Sequence, residues 1–135
     1  MDTERQSESS QSNPRGQGNV KQVRVILSPD ANATYLRLES EAGLKLSRSL
    51  VQAINEKIEL ITSNVHYGQQ VAKHLIPAEY RVRYCTTNVF HVKLPQFWRM
   101  LYSLEDGEGG VVVIVFILDI LDHPSYDKKF GYKRR

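Results

Sequence analysis

The chain has 135 residues, of which 41% are hydrophobic and 24% charged, so one folded domain with a core is expected. Its single cysteine, Cys85, excludes a disulfide framework and a thiolate metal site, and the longest apolar run, 111–118, is shorter than the roughly 20 residues of a membrane span. The net charge of +3 is uneven, because 120–135 holds five Lys or Arg against two Asp, a pattern that fits nucleic-acid binding or a solvated tail. With no apolar segment typical of a secretory signal, we expect a soluble cytoplasmic protein.

The first 20 residues are rich in Ser, Gln and charge, and are predicted to form a disordered leader before a domain over 21–135. The β-branched run 23–27 predicts a strand. Ser28 and Pro29 then have the pattern of a helix N-cap and first helical position.

This first helix is predicted to run to about Ala42, with Gly43 as its C-terminal cap. A second helix is predicted over 47–62, where apolar residues recur at three- and four-residue steps and form one stripe. Two helices joined this closely predict an antiparallel hairpin.

The rest of the chain predicts mostly strands. After a long connection, 64–79, strand-like segments lie at 80–84, 88–94, 97–104 and 111–120, and a Gly-rich turn at 105–110 joins the last two. The 80–84 segment is the weakest of them and makes an extra strand. The order β-α-α-β-β-β predicts an α+β fold: an antiparallel sheet that includes the N-terminal strand, with the helical hairpin on one face and the other face free for a ligand.

Alternation along 98–104 predicts which side chains face the core. It puts Trp98, Met100, Tyr102 and Leu104 on the core side and Arg99 on the open face. If the preceding strand pairs with this one in matching register, Lys93 and His91 share that open face with Arg99. Ordinary solvent-facing charges of a half-exposed sheet would give the same pattern.

The C-terminal segment mixes aromatic and basic residues, as expected for binding single-stranded RNA. His123 follows the last strand closely, where site residues on a sheet often lie, although a turn histidine would also fit. The residues of this segment that could contact RNA are Tyr126, Lys128, Lys129, Tyr132 and Lys133, and Lys93 and His91 on the open sheet face are predicted to bind RNA as well.

The chain lacks an HExxH motif, a P-loop, a GxGxxG motif and a cluster of acidic residues, so we expect neither a cofactor nor a metal centre. RNA carries its own nucleophile. Its 2′-hydroxyl can attack the adjacent phosphate if a base takes the proton, a cation holds the phosphate oxygens and an acid protonates the leaving oxygen. His, Tyr, Lys and Arg suffice for these roles.

Three motifs resemble the RelE/ParE superfamily of toxins, over nearly all of 23–135. They are the aromatic-Arg-hydrophobic-hydrophobic-Tyr pattern of 97–103, the hairpin that runs into 111–118, and the His-x-x-Tyr-Asp-Lys pattern of 123–128, which is similar to the ending of HigB-type toxins. The polar leader, the basic C-terminal extension and the connection 64–79 depart from the family.

The resemblance implies a RelE-like toxin: a metal-independent endoribonuclease that cleaves mRNA, in association with the ribosome, and is neutralised by a cognate antitoxin protein. By position, Arg99 matches the arginine that contacts the scissile phosphate, Lys93 a lysine of the preceding strand, and His123 and Tyr126 the acid/base or base-stacking positions. Two alternatives stay open: a ParE-like inhibitor of a DNA topoisomerase without nuclease chemistry, and a non-catalytic RNA-binding or interaction module of the same fold.

Overall fold

A computed structural model describes residues 22–41, 43–110 and 112–131. The leader assigned to 1–20, and Tyr132 and Lys133, lie outside the described residues. The described chain forms an α+β fold, as predicted, with one sheet and four α-helices. The strands are β1 Gln22–Leu27, β2 Gln69–Gln70, β3 Phe90–Lys93, β4 Arg99–Asp106 and β5 Val112–Leu121, and the helices are α1 Pro29–Ser40, α2 Lys45–Ser63, α3 Ala78–Tyr84 and α4 His123–Phe130.

The sheet is mixed, so the prediction of a wholly antiparallel sheet was wrong. The strand order is β1-β5-β4-β3-β2, in which β1 runs parallel to β5 and the other neighbours are antiparallel. The short connections between β3, β4 and β5 require reversal of the chain, whereas the helical hairpin after β1 leaves the direction of that strand open. Side-chain alternation in the sequence predicts which face of the sheet a residue occupies, but it gives no information on the direction of the strand.

Helices cover both faces of the sheet, so the prediction of a free face was also wrong. The α1–α2 hairpin packs on one face, and α3 and α4 pack on the other. The buried residues of the first face include Ala31, Leu50, Ile54, Met100, Tyr102 and Ile117, and those of the second include Val71, Tyr80, Val89, Leu101, Leu118 and Tyr126.

The start of α1 confirms its predicted cap. The Ser28 hydroxyl accepts a hydrogen bond from the Ala31 amide at 3.0 Å and donates one to the Leu118 carbonyl at 2.8 Å, which ties the helix to β5. The end of α1 was predicted wrongly. The helix stops at Ser40, and the cap residue is Glu41, whose amide donates to the carbonyls of Arg37 and Leu38. These bonds satisfy the last carbonyls before the chain reaches Gly43.

A β-bulge in β5 changes which side chains face α3 and α4. Leu101 pairs with Asp119 and Tyr102 with Ile117, which leaves Leu118 as the extra residue. Leu118 and Asp119 therefore both contact the second core, and the Tyr80 hydroxyl donates to the Asp119 carboxylate at 2.6 Å. Within the described ranges, no helix is both long and apolar enough to cross a membrane.

Candidate functional site

The adjoining ends of β3 and β4 bring three of the predicted site residues together. Lys93 pairs with Arg99 and His91 with Leu101, which confirms the predicted register and puts the three polar side chains on the face that α4 covers. Lys93 is exposed, whereas His91 and Arg99 are half-buried. The site therefore lies where the second core meets solvent, rather than on an open sheet face.

The Arg99 guanidinium lies over the ring of Tyr126, with 5.2 Å between its central carbon and the ring centroid. This arrangement is typical of a cation–π contact, which orients the guanidinium without neutralising its charge. One terminal nitrogen donates to the Trp98 carbonyl at 3.2 Å. The buried Nε of Arg99 has no hydrogen-bond partner among the described residues, an arrangement that calls for an explanation in a folded protein.

His91 also lies near Tyr126, with 6.4 Å between the two ring centroids. Burial, helped by the nearby charges of Arg99 and Lys93, holds the pKa of His91 below its usual value. The imidazole is therefore neutral at pH 7 and able to accept a proton. Its buried Nδ1 has no hydrogen-bond partner within the described part of the chain.

Helix α4, which was not predicted from the sequence, carries the other described residues of the predicted site. Asp122 is its N-cap and accepts a hydrogen bond from the Ser125 amide at 2.9 Å; hydrogen bonds from Ser125 hold the pKa of Asp122 below its usual value. His123 and Tyr126 are three residues apart and so share one face of the helix. His123 Nε2 lies 3.4 Å from the carboxylate of Asp127.

The two lysines of α4 differ in role. Lys128 is exposed, as a residue that contacts RNA would be. Lys129, which was also predicted to bind RNA, instead donates to both carboxylate oxygens of Glu79 at 2.9 and 3.0 Å and lies 3.4 Å from Asp119. Burial alone would lower the pKa of Lys129, but these bonds raise it. Its charge is therefore neutralised inside the protein.

The site combines groups suited to phosphate chemistry. Arg99 and Lys93 provide positive charge, His91 a neutral base, and His123 and Tyr126 groups that can donate a proton. Within the described ranges, no three His, Cys, Asp or Glu side chains lie close enough to one another to hold a metal ion.

Two neighbours of the site were missed in the sequence. Phe97 lies beside His123, with ring centroids 5.7 Å apart, and Asp127 contacts the same imidazole. The contact of Asp127 with His123 could have been predicted from the sequence. Asp122 before His123-Pro124 is the N-cap pattern of a helix, and a helix brings residues four apart together.

The comparisons with known proteins identify no relative. No family model, no curated protein and no solved structure matches this chain.

Proposed function

We propose that the protein is a RelE-like toxin that cleaves mRNA, on the ribosome, as a metal-independent endoribonuclease. The observation that carries the proposal is the group formed by His91 and Arg99 near the ring of Tyr126, in which both residues have a buried polar atom without a partner among the described residues. Lys93, paired with Arg99 across the strands, adds a second positive charge. The proposal includes the RelE-like topology, which the order of strand, helical hairpin and three-stranded meander supports.

The reaction proposed for this site uses the 2′-hydroxyl of the RNA as nucleophile. His91 removes the hydroxyl proton, and the oxygen attacks the adjacent phosphorus as the bond from phosphorus to the 5′-oxygen breaks. His123 or Tyr126 gives a proton to that leaving oxygen. The products are a 2′,3′-cyclic phosphate and a free 5′-hydroxyl, so no oxidant, metal or cofactor is needed. Arg99 stabilises the charge that gathers on the non-bridging oxygens.

A cognate antitoxin protein is the proposed partner. An acidic segment laid over Lys93, Arg99 and Lys128 would match their charge and exclude RNA from the site.

The defining experiment maps the ends of cleaved mRNA, with ribosome-bound and free message offered in parallel. We expect fragments with 5′-hydroxyl ends, and no cleavage at a position where the nucleotide carries a 2′-deoxy sugar, because that position lacks the nucleophile. EDTA is added to the free message alone, because the ribosome needs Mg²⁺ to stay assembled on the bound message. A message that stays intact, together with inhibition of a DNA topoisomerase, would replace this proposal with the ParE-like alternative.

Cleavage is expected to persist at mildly acidic pH if His91 is the base. The pKa of free histidine is 6.5, and that of His91 lies lower because of burial, so the rate should hold as pH falls through 6.5 and decline only below the folded-state pKa. The unfolded chain takes up the proton first, so the stability that neutral His91 contributes should also decrease as pH falls from 6.5 towards that value. NMR titration of the imidazole and a pH–rate profile measure both effects.

His74→Ala provides the control for this pH profile, since His74 is exposed in a turn at Lys73–Leu75. Its profile should match that of the unaltered protein, whereas His91→Ala should lose the acidic limb along with most of the rate. A His91→Ala variant that keeps the complete profile would assign the base to another group.

A further inference from the structure

The turn between β3 and β4 holds two bulky residues in an unfavourable backbone conformation. Gln96 has φ of 60° and Phe97 has φ of 65°, the left-handed region that normally favours glycine. The ends of the turn are fixed: the Leu94 amide donates to the Trp98 carbonyl at 2.9 Å, and the Trp98 amide donates to the Pro95 carbonyl at 3.2 Å. Both end residues also pack in the first core, so the turn is held in this shape from below.

The strained turn presents an exposed aromatic ring. Phe97 is 68% exposed, and the described contact of its ring is with His123 at 5.7 Å between centroids. An apolar ring this exposed adds little to the stability of the fold. The ring is nevertheless held in place by two residues in an unfavourable backbone conformation. Backbone strain of this kind persists where the surroundings enforce it, and it is concentrated at ligand-binding sites.

The surroundings of Phe97 determine what could bind it. Arg99 and Lys93 form the last pair of the two strands that this turn joins, so two positively charged residues lie at the base of the turn that carries the ring. Phe97 contacts His123, a residue of α4. The same helix carries Tyr126, and the Arg99 guanidinium lies over the ring of that tyrosine. A ligand that spans this group must offer phosphates to the cations and a flat face to the ring. Single-stranded RNA offers both, because its bases stack on aromatic side chains while its backbone meets Lys and Arg.

We propose that Phe97 is a stacking platform for one base of the RNA substrate, next to the phosphate that Arg99 binds. This inference rests on the proposed function and adds a residue that positions the substrate. An apolar protein segment is the competing ligand, but the basic pair Lys93 and Arg99 at the base of the turn favours a nucleic acid.

The test uses a 2′-O-methyl RNA of about 10 nucleotides, a length within the range of single-strand sites, which lacks the nucleophile and so binds without being cut. Phe97→Gly removes the ring and also relieves the left-handed strain. We expect it to bind RNA about 5- to 150-fold more weakly, the range that corresponds to loss of one stacked base. Its thermal midpoint should be unchanged or higher, so misfolding cannot explain the loss of binding.

Two further variants separate the ring from the backbone. Gln96→Gly relieves strain at the neighbouring position and keeps Phe97, so it should bind RNA as the unaltered protein does, with a higher thermal midpoint. Phe97→Trp keeps a stacking surface and should retain most of the affinity.

An abasic nucleotide, moved through the RNA one position at a time, tests stacking directly. With the abasic nucleotide at one position, the unaltered protein should bind the RNA as weakly as Phe97→Gly does. The same RNA should bind Phe97→Gly no more weakly than the complete RNA does. If Phe97→Gly binds and cuts RNA normally, the stacking platform is disproved while the nuclease proposal stands. If this variant loses only binding to a protein partner, the conclusion is the same. If the unaltered protein neither binds nor cuts RNA, the proposed function itself fails.

Discussion

Arg99→Ala is expected to slow RNA cleavage by about a hundred- to a thousand-fold, equivalent to about 3–4 kcal/mol of barrier. The guanidinium is the group of this site that can hold two phosphate oxygens at once, and Tyr126 beneath it fixes its orientation. Its removal leaves no buried countercharge without a partner, because no carboxylate is paired with it among the described ion pairs. Single-turnover cleavage of a ribosome-bound message measures the effect.

Three comparisons make the Arg99 result specific. Arg99→Lys should recover part of the rate, since lysine keeps the charge and loses the forked geometry. Arg24→Ala removes an exposed arginine from β1, at the far side of the sheet from β3, and should leave the rate unchanged. Circular dichroism should show a folded Arg99→Ala domain, with about 0.5–1 kcal/mol of stability lost along with the cation–π contact. Cleavage at the normal rate by Arg99→Ala would remove Arg99 from the mechanism.

Local chemistry in the sequence predicted several elements of the fold well. Ser28 and Pro29 specify a helix start whatever surrounds them, because the hydroxyl cap and the fixed proline φ act within one turn. The apolar stripe of α2 and the apolar run of β5 are similarly local signals, and both elements lie within one or two residues of their predicted ends. Strand direction, by contrast, depends on how distant segments pack, which is why the parallel pairing of β1 with β5 was missed.

The segment 80–84 shows why a local pattern can fail. In a strand, alternation would put Tyr80, Val82 and Tyr84 on one face, and in a helix Tyr80 and Tyr84 would still share a face, four residues apart. The two tyrosines therefore fit both structures, and Val82 decides between them. It is 80% exposed, as the helix requires, while Tyr80 is fully buried. Only the finished core distinguishes these outcomes, and missing both this helix and α4 led to the prediction of an open sheet face.

The candidate site was predictable to the extent that it depends on strand pairing. Lys93 and Arg99 follow from two adjacent strands in matching register, and Tyr126 joins Arg99 through a helix that begins directly after β5. The roles of Lys128 and Lys129 were not predictable. Adjacent residues of a helix point about 100° apart, so one reaches solvent and the other the carboxylates of Glu79 and Asp119, and the rotation of α4 depends on the packing of Tyr126.

Lys129→Ala is expected to lower the free energy of unfolding by about 3 kcal/mol, because it leaves the Asp119 carboxylate buried without its cation. Burial raises the pKa of Asp119, and the hydrogen bond from Tyr80 and the charge of Lys129 oppose that rise. Without Lys129 the folded-state pKa of Asp119 rises further, so the folded chain holds a proton that the unfolded chain has released. Stability then decreases as pH rises above the normal value of 3.8, which makes the penalty largest at neutral pH and smaller in acid.

Lys128→Ala is the matched control for that measurement, since it removes the same charge from the neighbouring, exposed position and should change the unfolding free energy by less than about 0.5 kcal/mol. Urea unfolding at pH 7 and pH 4 gives the values for each variant. Replacing Asp119 as well, in Lys129→Ala with Asp119→Asn, should recover part of the loss, because a neutral amide needs no cation and can still accept the hydrogen bond from Tyr80. Equal stabilities for the two lysine variants would show that the pair of Lys129 with Asp119 and Glu79 contributes nothing to the fold, and would return Lys129 to the residues available for binding RNA.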